Sequence, residues 1–353
     1  MIVNLCGFGW SGSGAYIDLL REYEDISLPN AKTWEFNFLW APDGLYDLEQ
    51  KICIKHCRIF DSFLAIERFL EIAKIYGKKN GVFKYDRYLS SPFYNQCKLY
   101  IDKLVQFHLE ANCFVHKLHP TLKDRIIMFY NRWLGHFLYN RFLREKVLFK
   151  NIFFKLKLDN YKVMNVSYKP DNFLKETQDF VASILDQIRP NKNKILLLDQ
   201  SVPPDMPDLF DHFFKESQKT IVIRRDPRDQ FITINELKGT GRPVPTNVND
   251  FILFYRKTIA ETRLPDSEKL LSLNFEDLIY NYDATVEIIE NYLGLTSHVY
   301  AKKYFDPAKS INNTQLINLY PKYTEDIKKI EAELADCLYH YNESYKRTTN
   351  YIF

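Results

Sequence analysis

Glycine is scarce in this chain, 11 in 353 residues, and no segment is repetitive, so collagen-like, linker-like and other low-complexity architectures are excluded. No apolar run reaches the roughly 18 residues that a membrane span needs, and the N-terminus lacks the basic and apolar regions of a secretion signal. A soluble, cytoplasmic protein without a transmembrane segment is expected. Cysteine is sparse as well: the six form no CxxC, and the Cys53/Cys57 spacing has no second pair to complete a zinc site. Reduced thiols and no metal are the expectation. Charge of one sign does not dominate either, since 48 Lys and Arg face 45 Asp and Glu, and a net +3 gives no ground for a nucleic-acid partner.

What the chain has in plenty is aromatic residues, 16% of the total with 27 Phe and 24 Tyr, enough for one large core. Its basic residues are clustered. Nine Lys and Arg stand against four Asp and Glu from Lys51 to Arg87, and twelve against three from Lys117 to Lys169. Such a stretch is either a solvated face or a surface that attracts anions.

Along the chain, "MIVNLC" reads as a short buried strand, "GFGWSGSGA" as a turn, and "AYIDLLREY" as a helix. "KTWEFNF" is a candidate second strand. Residues 45–190 read as mostly helical, with "FLAIERFLEIAKIY" the clearest amphipathic helix. The strand pattern returns in "KILLLD", "KTIVIR" and "LLSLNF", continuous apolar runs of the kind a covered parallel sheet contains. "ATVEIIENYLGL" reads as a helix stopping near Gly294, and "TEDIKKIEAELADCLYHY" as a closing helix capped by Thr324. Without a repeat or a linker, residues 1–353 read as a single α/β domain with a large helical insertion at 45–190.

The opening loop admits three readings. Gly7, Gly9 and Gly12 give G-x-G-x-x-G between strand and helix, with Glu35 available as a ribose acid, which would suit an NAD-dependent oxidoreductase. Gly7 and Gly12 also have the Walker spacing, but Ser13 and Gly14 stand where Lys and a magnesium-binding hydroxyl belong. In the third reading Ser11, Gly12, Ser13 and Gly14 present small side chains and free N–H groups at a helix N-terminus, a cradle for a phosphate without a metal. A tight turn with no ligand is the plain alternative. Further on, "TIVIRRDPRDQFIT" places Arg224, Arg225 and Arg228 directly after a strand, with Pro227 placed to begin a helix and Thr233 eight residues after Arg225. Guanidinium forks with a nearby hydroxyl make an anion pocket, although an ion-paired surface turn would use the same residues.

Together these stretches resemble the sulfotransferases that use 3'-phosphoadenosine 5'-phosphosulfate (PAPS), closest to bacterial and carbohydrate-type members. The family's 5'-phosphosulfate loop is matched by Trp10, Ser11, Gly12, Ser13, Gly14 and Ala15, and its R-x-P-x-D-x-x-x-S type 3'-phosphate segment by Arg225, Pro227, Asp229 and Thr233. "LLSLNFEDLIYNYDATVEIIENYLGL" is similar to the family's late strand, E-D-L and helix, and "WEFNF" sits where many members carry a glutamate before aromatic residues. The resemblance covers about residues 1–40 and 194–300. It implies a P-loop-like three-layer fold around a central parallel sheet, PAPS as cofactor with PAP as product, and no metal. Two departures stand out: Trp10 holds the place of the usual Lys or Arg before the loop serine, and Thr233 that of Ser. Lys32, Arg224 and Lys309 are candidate replacement cations.

The resemblance also implies an acceptor hydroxyl and a base to take its proton. Glu35 is the first candidate, and Asp199, at the end of "KILLLD", the second, because strand C-termini border the ligand crevice of open α/β sheets. His56, His116, His119 and His136 in the insertion are minor candidates. Lys309, Ser310 and Asn312 in "FDPAKSINNT" are placed to close over the 3'-phosphate, or form a plain surface loop. The aromatic stretch 127–143 is read as packing within the insertion. The acceptor expected is a carbohydrate or acidic glycan, with a sterol or other lipid-like alcohol next and peripheral membrane contact allowed. Two alternatives remain open: the NAD-dependent oxidoreductase, and a family member that binds a nucleotide or anionic glycan without catalysis.

Overall fold

The computed structural model describes residues 1–29, 35–56, 58–111, 122–130, 162–237, 244–260 and 267–341. Five parallel strands form the central sheet in the order β2-β5-β1-β6-β7, where β1 is Ile2–Gly7, β2 Ile26–Ser27, β5 Ile195–Asp199, β6 Gln218–Arg224 and β7 Leu270–Asn274. The four apolar runs of the sequence are therefore neighbours. β1 lies between β5 and β6, with Leu5 opposite Asp199 on one side and Ile221 on the other, so all six of its residues are buried.

Side-chain alternation then divides the core in two. Val3, Leu5, Ile221 and Ile223 face one way, onto Tyr16, Leu19 and Leu20 of the helix Ser13–Leu20 and Ile289 of the helix Tyr282–Leu293. Ile2, Cys6, Leu196 and Leu198 face the other way, toward the insertion. These two cores make three layers. Asn4 shares the insertion face. It is buried without penalty, because its amide donates to Gln218 Oε1 at 2.9 Å and accepts from the Ser201 hydroxyl at 2.5 Å.

The insertion carries the helices Ile59–Gly77, Phe93–Leu104 and Phe173–Ile188. It is not wholly helical. Phe107–Ala111 (β3) and Lys162–Val166 (β4) form a two-stranded antiparallel sheet, which the sequence reading did not foresee. Phe38 ties the chain after the first helix to the insertion: its ring lies 4.7 Å from Phe93, 5.2 Å from Phe69 and 5.3 Å from Tyr76, and burying a ring of this size contributes about 2 to 3 kcal/mol.

Two sequence expectations need correction. "KTWEFNF" forms no second strand in its described part: Glu35 alone bridges Asp199, and Asn37–Leu39 is a 3-10 turn. The turn lets the consecutive residues Phe38 and Leu39 both reach the core, whereas a strand would send one of them outward. The closing helix runs only from Thr324 to Glu333, and Thr324 is its first residue rather than its cap, its hydroxyl donating to the Pro321 carbonyl at 2.6 Å. The later residues are drawn away by hydrogen bonds from Tyr339 and Tyr341 to buried carboxylates.

Candidate functional site

The loop after β1 is shaped by two glycines, Gly7 and Gly12, that leave no room for a side chain. A Cβ on Gly7 would meet the Ser11 hydroxyl at 2.2 Å, and one on Gly12 would lie 2.4 Å from the Phe275 ring. Gly12 also has φ +86, a left-handed conformation that side chains disfavour. Trp10 adopts the same region at φ 66. The loop closes with Ser11 N–H donating to Phe8 C=O at 2.8 Å, and the helix Ser13–Leu20 begins directly after it. Ser11 is 2% exposed, and its hydroxyl has no hydrogen-bond partner among the described residues. A buried orphan hydroxyl beside a helix N-terminus fits a phosphate or sulfate oxygen.

At the end of β5 the chain delivers Asp199 and then Gln200, whose φ is 51. The Gln200 side chain reaches toward the loop, lying 3.5 Å from both the Gly7 N–H and the Ser13 hydroxyl, and Trp40 Nε1 donates to its carbonyl at 3.0 Å. Glu35 is exposed, bridges Asp199 in parallel, and has its carbonyl held by the Tyr85 hydroxyl at 2.8 Å. The two candidate bases thus stand side by side at the C-terminal edge of the sheet. The sequence reading passed over Gln200, and its position directly after a strand end was the only signal.

At the end of β6, Arg224 and Arg225 lead into the helix Pro227–Glu236, with Pro227 in the first turn, as the sequence indicates, and Asp226 as its N-cap. Arg225 does not extend its fork into open space. It is 6% exposed, donates to Trp10 C=O at 2.9 Å and Asn313 C=O at 2.6 Å, and lies 5.1 Å from the Phe275 ring centre. It staples the glycine loop to the segment near residue 313. Thr233 donates its hydroxyl back to Asp229 C=O at 2.7 Å, leaving its lone pairs free of that bond.

Behind these residues lies a buried acidic cluster. Asp226 forms a two-point ion pair with Arg228, and Asp229 accepts the N–H groups of Gln315 and Leu316 at 2.8 and 2.7 Å. Glu276, from the "FEDL" stretch, is fully buried and accepts from Asp226 N–H at 3.0 Å. Burial, and then the Asp226 charge, pushes the Glu276 carboxyl up to about 8. The same two causes raise Asp229.

These elements enclose a cavity of about 450 Å³. Trp10, Gly12, Gly14 and Ala15 line it from the loop, Arg225 and Thr233 from β6 and its helix, and Lys309 and Ser310 from the C-terminal region. Eight of the residues read from the sequence therefore meet. Asn312 is not one of them: it is 1% exposed, its amide donates to Lys309 C=O, and Asn313 lines the cavity instead. Ser11, Ser13, Glu35 and Asp199 are likewise absent from the lining, although Gln200 ties Asp199 to the loop. Lys302, Lys303, Tyr304 and Phe275 also face the cavity, and the sequence reading missed them. Arg224 lines a second, smaller cavity of about 140 Å³ with Asp336 and Tyr339. His56 packs edge-on against Tyr168 at 4.2 Å, while Lys32, His116, His119 and His136 lie outside the described residues, as does most of the aromatic stretch 127–143.

No protein-family model and no curated protein matches the chain. Among solved structures it is similar to a sulfotransferase domain of the Synechococcus PCC 7002 olefin synthase, with 12% identity and a TM-score of 0.38 over 87% of this chain and 76% of that one. It is similar to a sulfotransferase domain from the curacin biosynthetic pathway, with 11% identity and a TM-score of 0.34 over 95% of this chain and 97% of the other. A third similar structure is retinol dehydratase in complex with androsterone and the inactive cofactor PAP, with 14% identity and a TM-score of 0.33 over 97% of this chain and 82% of that one.

Proposed function

We propose that the protein is a PAPS-dependent sulfotransferase that moves a sulfuryl group to an acceptor hydroxyl by in-line displacement. One observation carries this reading: stretches 10–15, 225–233 and 302–310, far apart in sequence, line a single cavity large enough for a nucleotide. Its walls combine a helix N-terminus with three lysines and Arg225 against two carboxylates, Asp18 and Asp306, a lining whose net positive charge suits a polyanion.

In this reading Gly12, Gly14 and Ala15 cradle the 5'-phosphosulfate, with the Ser11 hydroxyl as a further contact. Thr233, Lys309 and Ser310 serve the 3'-phosphate, and Arg225 fixes the loop that receives it. When bound, PAPS supplies the transferable sulfuryl group and leaves as PAP. Lys302, Lys303 and Lys309 supply the positive charge that Trp10 does not, offsetting charge that builds on the leaving phosphate. Glu35 takes the proton of the acceptor hydroxyl, with Asp199 beside it as the alternative base. The acceptor is a glycan hydroxyl first and a sterol or other lipid-like alcohol second, met against the insertion at residues 45–190. A cytoplasmic location and independence of metal belong to the same reading.

Thermal unfolding of the protein with PAP, NAD and magnesium-ATP in parallel tests the cofactor, because a ligand that binds only the folded state raises Tm. A shift with PAP alone is expected. A shift with NAD alone would replace the proposal with an oxidoreductase using the G-x-G-x-x-G spacing, and PAP binding without turnover over a broad acceptor panel would leave a binding protein. Glu35→Gln is expected to lower kcat about 10² to 10⁴-fold while leaving PAP affinity unchanged. Full activity in that variant with loss in Asp199→Asn would transfer the role of base to Asp199.

A further inference from the structure

We infer that Glu22 is a positioning residue for the cavity, clamping the segment 298–306 so that Lys302 and Lys303 stand on the cavity wall and meet a bound polyanion. Only the identity of that anion rests on the nucleotide reading above.

Glu22 lies two residues beyond the helix that starts at the glycine loop, and it is completely buried. A buried carboxylate is costly unless donors surround it, and here four N–H groups converge on it. Oε1 accepts from Tyr304 N–H at 2.7 Å and Phe305 N–H at 3.0 Å, while Oε2 accepts from Lys302 N–H at 2.9 Å and His298 Nε2 at 2.9 Å. The Glu22 carbonyl accepts in turn from Tyr300 N–H at 3.2 Å. Burial raises the carboxyl, but the His298 bond and the three backbone donors outweigh it and hold the group below its ordinary range.

Two features tie this clamp to the cavity rather than to stability alone. Lys302 adopts φ +60, a strained conformation for a side-chain-bearing residue, and the N–H of that same residue is fixed to Glu22. The side chains that follow are aimed by rings: Lys303 Nζ lies 5.2 Å from the Tyr304 ring centre, and Arg21 lies 4.3 Å from the same ring. Lys302 Nζ lies 5.2 Å from the Tyr282 ring centre and Lys303 Nζ 4.5 Å from that of Tyr300, and no carboxylate pairs with either among the described residues, so neither charge is neutralised before a ligand arrives. Because the helix Ser13–Leu20 leads from the glycine loop almost directly to Glu22, one carboxylate links the loop wall to the lysine wall.

A carboxylate is required because an amide cannot accept on both sides. In Glu22→Gln the NH₂ group faces two donors whichever way it turns.

The test is a double-mutant cycle with PAP and, separately, inorganic pyrophosphate as probes. Glu22→Gln and the pair Lys302→Ala/Lys303→Ala should each raise Kd at least tenfold, and Glu22→Gln should cost less than twofold once the lysines are gone. An undiminished cost in the lysine-free background, or wild-type affinity in either variant, would overturn the assignment. Hydrogen exchange in the ligand-free wild type keeps the clamp testable if Glu22→Gln does not fold: the amides of Lys302, Tyr304 and Phe305 should be protected, and exchange at the free-peptide rate would refute it. Binding of pyrophosphate in a Glu22-dependent way without binding of PAP would support the clamp and sink the PAPS reading. A wild type that binds neither overturns both.

Discussion

The Ser11 hydroxyl and the Gly12 backbone give the sharpest single-residue predictions. Ser11→Ala removes a buried polar atom that has no partner among the described residues, so folding stability should hold or rise by up to about 1 kcal/mol. If that hydroxyl contacts the cofactor, affinity for PAP should fall about tenfold, the loss of one charge-assisted hydrogen bond. Calorimetric titration beside thermal unfolding separates the two effects, and unchanged affinity would remove Ser11 from the cofactor contacts. Gly12→Ala should behave in the opposite way. Its methyl would meet the Phe275 ring in a backbone conformation that alanine avoids, so a stability loss of more than about 1 kcal/mol should accompany the loss of binding. Gly14 is the control, because a Cβ there meets nothing within 4 Å, and Gly14→Ala should unfold within about 0.5 kcal/mol of the wild type.

Among the elements, the strand-to-helix junction after β7 carries a pH signature. The Glu276 carboxyl lies near 8 in the folded protein against an ordinary value of 4.5. Below that ordinary value both folded and unfolded chains hold the proton. Between about 4.5 and 8 only the unfolded chain releases it, so stability falls as pH rises, by up to about 1.4 kcal/mol per unit. Above about 8 both are ionised and the fall stops. Glu276→Gln should flatten the dependence of Tm on pH across that window, leaving what Asp229 adds, and parallel curves for variant and wild type would rule the carboxyl out as the source. The junction itself was readable, because "LLSLNF" is a continuous apolar run and the next helix ends at Gly294, whose φ of 70 is the left-handed stop that glycine provides. Local chemistry of this kind also gave β1, β5, β6 and the start at Pro227. The lysine wall was unreadable for the converse reason: Lys302 faces the cavity only because Glu22, 280 residues earlier, holds its backbone. Gln200 escaped notice because nothing in its neighbours announces a left-handed turn. The bend after Glu35 is set by the aromatic rings of the insertion, which no local pattern reveals.

Over the whole molecule, charge is the readable quantity with a measurable consequence. Three lysines on the cavity wall mean that PAP affinity should weaken steadily from low to physiological ionic strength, as screening shortens the reach of each charge. Affinity that ignores salt would show that the lysines do not meet the anion. The order of the sheet has a consequence of another kind. β1 precedes both of its partners, which begin at Ile195 and Gln218, so it can bury neither edge until those segments have left the ribosome. At about 5 to 20 residues per second the wait is roughly 10 to 40 s. Throughout it, a largely apolar strand is exposed with both edges unpaired, an aggregation hazard that follows from placing the glycine loop at the centre of the sheet.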